Sequence, residues 1–243
     1  MAAVADADTS QLLYAKNPDQ VTPIASITKL MTAIVILAAK LPLAEVLTVS
    51  DEDVDELKGT GSALSVGSRL TREDLLHIAL MASENRAAAC LSRYYPGGRA
   101  AFIEAMNRKA RELGMENTHF ANPNGLTAEN VSTAWDLVKL VKAASQYPLI
   151  RQFSTDTKYD VFVGQTGERR LRYANTNHLI GRPGWEIELQ KTGYISESGR
   201  CLVMQAQVDG RHLIMVFLDS IGRLTCFGDA SRVRKQLARK RAH

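Results

Sequence analysis

A chain of 243 residues, 45% hydrophobic and 23% charged, is long enough to bury a sizeable core and too apolar to be disordered. Its 30 basic against 26 acidic side chains give +4, yet six of those cations fall in the last thirteen residues, so the body is close to neutral. Three cysteines, Cys90, Cys201 and Cys226, show no CxxC or metal-ligand spacing, and no apolar run reaches the ~20 residues of a membrane span.

The start of the chain has no basic region before Lys16, so a signal peptide is expected to be absent or already removed. Thr9–Tyr14 reads as a strand entered through a polar turn. Ile27–Ala39 reads as a buried helix with Ser26 at its first turn. Gly59-Thr60-Gly61-Ser62 is a loop without the spacing of a dinucleotide fingerprint. Thr71-Arg72-Glu73-Asp74 resembles a capping box and opens the next helix, which breaks near Ser83. An Ala-rich helix follows over Asn85–Leu91 and stops at Pro96-Gly97-Gly98. Ala101–Leu113 is helical, with Gly114 as its stop. Asn122-Pro123-Asn124-Gly125 is a turn, and Thr133–Ala144 is helical again.

After Pro148 strands take over: Tyr159–Val163, a turn at 164–167, then Leu189–Ile195, Cys201–Val208 and His212–Leu218. Asp209-Gly210 joins the last two as a hairpin, and a basic helix closes the chain with Val233 and Leu237 turned to the sheet. A strand, many helices, three strands and a helix predict an α+β fold. Helices flank an antiparallel sheet, and a helical lobe, roughly residues 40–150, is inserted into it. The whole chain, 1–243, is expected to be one catalytic domain.

Three short patterns carry the chemistry: Ser26-Ile27-Thr28-Lys29, Ser83-Glu84-Asn85 and Lys191-Thr192-Gly193. Each alone is weak; even the rarest, Lys-Thr-Gly, arises by chance on the order of once in twenty such chains. All three occur in this order, at a helix start, a helix break and a strand. Ser26 and Lys29 share a helix face at i and i+3. A serine needs a base beside it to attack, and an ordinary lysine is protonated. Burial, the helix N-terminus and a nearby Lys191 would each lower the pKa of Lys29. Ser83 and Asn85 supply a relay hydroxyl and an orienting amide. Lys191 and Thr192 offer a cation and a hydroxyl for a substrate carboxylate, and Gly193 permits close backbone approach.

This pattern resembles that of penicillin-binding proteins and serine β-lactamases. The flanks Ala25–Ala33 and Ala79–Ala88, with Asn122–Leu126 and Lys191–Ile195, are similar to segments of low-molecular-mass DD-peptidases. The Ser-Glu-Asn variant and the run Arg200-Cys201-Leu202-Val203-Met204 look like the D-alanyl-D-alanine endopeptidase branch. The likeness covers nearly the whole chain. It implies the β-lactamase/DD-peptidase fold and a hydrolase of peptidoglycan stems that β-lactams acylate covalently. It further implies Ser26 as nucleophile, Lys29 as base, Ser83 and Asn85 as relay, and an oxyanion hole from the N–H groups of Ser26 and Tyr194. Lys191, Thr192 and Gly193 would bind substrate as an added strand. Neither cofactor nor metal is expected, and the implied location is periplasmic.

The chain ends soon after its last strand, whereas related carboxypeptidases carry a further β-rich domain and an anchor. A D-alanyl-D-alanine carboxypeptidase stays open as the alternative, as does a non-catalytic β-lactam sensor or scaffold on the same fold. A Glu-x-x-x-Asn motif of the class A β-lactamase kind is missing. The basic C-terminus suggests at most a weak contact with membrane or wall polymer, and without aromatic residues it does not suit nucleic acid.

Overall fold

The computed structural model describes residues 1–164 and 168–240. Its N-terminal part runs β1 (Ala2–Asp6), β2 (Leu12–Lys16), β3 (Thr22–Pro23), α1 (Thr28–Ala38), β4 (Val46–Thr48), β5 (Arg69–Thr71), α2 (Arg72–Met81), α3 (Asn85–Arg93) and α4 (Gly98–Glu112). The remainder is β6 (Val131–Ser132), α5 (Ala134–Ala144), α6 (Pro148–Thr155), β7 (Lys158–Val163), β8 (Arg169–Ala174), β9 (Glu186–Ile195), β10 (Gly199–Val208), β11 (Arg211–Ser220) and α7 (Thr225–Lys240).

Five strands form an antiparallel sheet in the order β2-β1-β11-β10-β9. Its inner strands are buried on both faces, and their side chains alternate between two cores. Ala3, Ala5, Cys201, Val203, Ile214 and Val216 face the larger core, which α1–α6 complete. Ala2, Val4, Leu202, Met204, Met215 and Phe217 face the smaller core under Cys226 and Ala230 of α7. Val233 and Leu237 pack against that same core, as the pattern predicts. Asp209 and Gly210 both take positive φ, 53° and 74°, which gives the hairpin the twist its strands need. The Thr71 box also forms: Thr71 Oγ1 accepts from Asp74 N at 3.0 Å, and Asp74 Oδ2 accepts from Thr71 N at 3.3 Å. The sheet leaves β9 as an edge strand, and the turn Ala25–Ile27 lies against it.

Several boundaries differ from the sequence expectation. The strand expected at Thr9–Tyr14 is Leu12–Lys16, because Asp6 Oδ1 accepts from the N–H groups of Asp8 and Thr9 and turns the chain there. Nothing in the sequence pattern predicts β1. Its Ala-rich sequence has little strand propensity, and burial on both faces erases the period-two signal. Pro148 does not end the helical region; it occupies the first turn of α6, where its missing N–H costs nothing. β8, with three arginines, offers only Leu171 and Tyr173 to the larger core and pairs with β7, where Asp160 Oδ1 accepts from Arg172 Nε at 3.1 Å. Of the turn expected at 164–167, residues 165–167 lie outside the described residues.

Candidate active site

Ser26 does not sit within α1 but in a 3-10 turn, Ala25–Ile27, that leads into it. Ala25 holds φ at +47°, a left-handed conformation that costs an L-residue about 1–2 kcal/mol. Two glycines accommodate this turn. A Cβ on Gly125 would lie 2.0 Å from the Ala25 carbonyl oxygen, and one on Gly193 would lie 3.0 Å from both Ile24 O and Ser26 N. The backbone that Gly193 admits is therefore the chain's own, and its bareness brings β9 against the Ser26 amide.

Lys29 follows one turn later and is 1% exposed. Its Nζ lies 2.7 Å from Ser26 Oγ, 2.8 Å from Asn85 Oδ1, 2.8 Å from Asn124 O and 3.4 Å from Ser83 Oγ. Two of these neighbours are carbonyl oxygens, which only accept. A neutral amine gives its two N–H bonds to them and turns its lone pair to the Ser26 hydroxyl. Burial is the main cause that holds the Lys29 pKa well below that of an ordinary lysine. The charge of Lys191 adds to the depression, and Glu84 opposes it.

Ser83 bridges α2 and α3 with φ at +61°, another strained position beside the chemistry. Asn85 opens α3, and its Nδ2 donates to Thr60 Oγ1 at 3.0 Å. Asp55 fixes that threonine in turn, accepting from its N–H and hydroxyl at 2.8 and 2.7 Å. Glu84 caps α3 and is buried, its Oε1 accepting from Arg86 N at 3.2 Å.

Lys191 is wholly buried, and its ammonium donates to Thr192 O at 2.9 Å. Burial brings its pKa down to about 7. The Thr192 hydroxyl pairs with Thr176 Oγ1 at 2.6 Å. Tyr194 is 55% exposed on the groove wall. A groove of about 310 Å³ thus gathers Ser26, Ser83, Asn85, Thr192, Gly193 and Tyr194, with Lys29 and Lys191 beneath it. Serine, depressed lysine and strand edge together can run nucleophilic acyl transfer on a peptide carbonyl. Among the described residues no group of three or more His, Cys, Asp and Glu could hold a metal ion.

Residues 1–222 match the model of the peptidase family described as D-alanyl-D-alanine carboxypeptidase. The chain belongs to this family. Members named D-alanyl-D-alanine endopeptidase include that of Pseudomonas aeruginosa, 49% identical over 236 residues and spanning 97% of this chain and 76% of the relative. That of Escherichia coli is 49% identical over 233 residues, 96% of this chain and 75% of its own. The family member named D-alanyl-D-alanine carboxypeptidase DacF, from Bacillus subtilis, is 33% identical over 88% of this chain and 56% of its own. The crystal structure of the Streptomyces K15 DD-transpeptidase superposes with a TM-score of 0.89 at 30% identity, covering 96% of this chain and 94% of that one. The family is one of serine DD-peptidases, so the family and the α+β fold expected from the three motifs are both found.

Sequence reasoning assigned no role to several residues in and around the groove of this family member. Asn124 acts through a main-chain carbonyl, which no residue type announces. Thr60 was visible only as part of a loop, and Thr176, Arg200 and Arg223 belong to no motif. Glu84 stood at the variable position of Ser-x-Asn, yet its charge reaches Lys29.

Proposed function

We propose that this chain is a serine DD-peptidase that cleaves D-alanyl cross-links of peptidoglycan through an acyl-enzyme on Ser26. The observation that carries the reading is the 2.7 Å contact between a buried, pKa-depressed Lys29 and the Ser26 hydroxyl. Lys29 takes the Ser26 proton as Oγ attacks the carbonyl of the penultimate D-alanine. The N–H groups of Ser26 and Tyr194 receive the oxyanion, a role supported by the close approach of β9 at Gly193. Ser83 relays the proton from Lys29 to the leaving amine. Asn85 keeps Lys29 aimed, and burial, helped by the charge of Lys191, keeps it neutral. Water then releases the acyl group from Ser26.

The stem peptide lies along the exposed side of β9 as an added strand. Thr192 and Arg223 face the groove and suit the carboxylate beside the scissile amine, whereas buried Lys191 acts on Lys29. A β-lactam would acylate the same serine. Such a substrate places the enzyme outside the cytoplasmic membrane, in the periplasm. No helix among the described residues is long and apolar enough to cross a membrane.

Two relatives at 49% identity bear the endopeptidase name, which favours cross-link cleavage over trimming of terminal D-alanine. The family description and the Bacillus relative favour the carboxypeptidase alternative. Digestion of purified cross-linked dimers and monomeric pentapeptides side by side separates them. The endopeptidase converts dimers to monomers faster. Release of D-alanine with dimers untouched would reverse the assignment, and no turnover of either would leave only the sensor reading.

A further inference from the structure

We propose that Arg200 reads a second carboxylate, one carried by the leaving stem of a cross-linked substrate and absent from free D-alanine; this rests on the endopeptidase reading above. Arg200 stands directly opposite Tyr194 in the β9–β10 register, with Cζ 4.4 Å from the ring centroid. The exposed ring props the guanidinium at the groove, and a guanidinium held over a ring face keeps N–H groups that can fork onto a carboxylate. Among the described residues Arg200 and Arg223 form no ion pair, and no Asp or Glu lines the groove that both enter. The two cations share one groove: Arg200 and Arg223 line it together with Cys226, three residues beyond Arg223 in the first turn of α7.

A groove with two uncompensated cations exceeds the need of a single carboxylate. When the leaving group is D-alanine, its one carboxylate is met by Thr192 and Arg223. When it is a whole second peptide, that peptide brings a C-terminal carboxylate of its own. Arg200 is the groove cation left to receive it. The alternative source of a second carboxylate is the donor stem, which both substrates share, and the two sources make different predictions.

The test compares kcat/KM for a cross-linked dimer and for a monomeric pentapeptide in the wild type, Arg200→Gln and Arg200→Lys. A charged hydrogen bond lost on one substrate alone lowers the dimer-to-pentapeptide ratio about tenfold in Arg200→Gln. Arg200→Lys, which keeps the charge, retains most of the ratio. The wild-type enzyme loses the same factor on a dimer whose leaving stem is amidated at its C-terminus, a measurement that requires no variant to fold. An equal fall on both substrates would put the carboxylate on the donor stem and overturn the assignment. So would an unchanged ratio, or an amidated dimer cut as fast as the free acid. Wild-type enzyme that trims pentapeptides and leaves dimers intact would instead overturn the endopeptidase reading, and the Arg200 assignment with it.

Discussion

Lys29 and Lys191 are two lysines buried in one site, each close enough that the charge of Lys191 depresses the pKa of Lys29. Neither has a carboxylate within ion-pair distance among the described residues, so both settle their burial by giving up a proton more readily. The site thus acquires an amine base at the expense of stability at low pH.

That expense is measurable. Lys191 titrates at about 7 in the folded chain against ~10.4 when unfolded. Between those values the unfolded chain binds a proton that the folded chain does not, so stability rises with pH. The contribution is lost as pH falls through about 7, below which both states are protonated. Lys29 acts in the same direction. Urea unfolding at pH 7.0 and 8.0, conditions chosen below the range of the buried thiols, should show Lys191→Met with a shallower rise than wild type. The difference approaches about 1.4 kcal/mol per pH unit at most. Parallel slopes would mean Lys191 is not neutralised by folding.

Asn85 offers Lys29 an uncharged oxygen at 2.8 Å. Asn85→Asp replaces it with a carboxylate, which favours the ammonium and raises the Lys29 pKa. Acylation by a β-lactam at pH 7 should fall by about tenfold or more, because once the carboxylate lifts the Lys29 pKa above that pH the free amine becomes about tenfold scarcer with each further unit. The acid limb of the pH profile should move to higher pH, with part of the rate recovered near pH 9. A uniform loss with an unmoved limb would assign Asn85 to substrate contact alone.

Gly125 and Gly59 both hold positive φ, +84° and +59°, but only Gly125 faces backbone. Gly125→Ala meets the Ala25 carbonyl at 2.0 Å and pushes the active-serine turn out of place. It should cost about 2–5 kcal/mol, strain and overpacking together. Gly59→Ala has open space around it and should cost only about 1–2 kcal/mol, that of its backbone conformation. Thermal melts of the two variants decide this, and similar Tm losses would contradict the packing argument.

Burial raises all three thiols, Cys90 to about 12 and Cys201 to about 11, with Cys226 shifted the same way. All three are free and buried. A thiol-disulfide reagent at pH 8 should label none in the native protein and three per chain in denaturant. Fast labelling of the native chain would show that one of these sites opens.

The residues of the candidate site were legible in the sequence because Ser26, Lys29, Ser83, Asn85 and Lys191–Gly193 lie in short local patterns, which the fold then gathers around Lys29. The last three strands and most helices followed from apolar runs, turn signals and capping. β1 was illegible because an alanine strand buried on both faces has no period. The turn around Asp6 was illegible because a side-chain cap, not composition, sets it. Lys191 looks in the sequence both like a cation offered to substrate and like a neighbour of Lys29, and the packing of β9 buries it, which favours the second. Arg200 acquires meaning only from the register that sets it over Tyr194.

The central claim is that Ser26 is the nucleophile and Lys29 its base. Intact-protein mass spectrometry during exposure to a β-lactam tests it most directly. The wild type should gain one adduct, Ser26→Ala none, and Lys29→Arg should acylate on the order of 10²-fold more slowly, since arginine keeps the charge and cannot give up its proton. An adduct that persists in Ser26→Ala, or near wild-type acylation of Lys29→Arg, would contradict it.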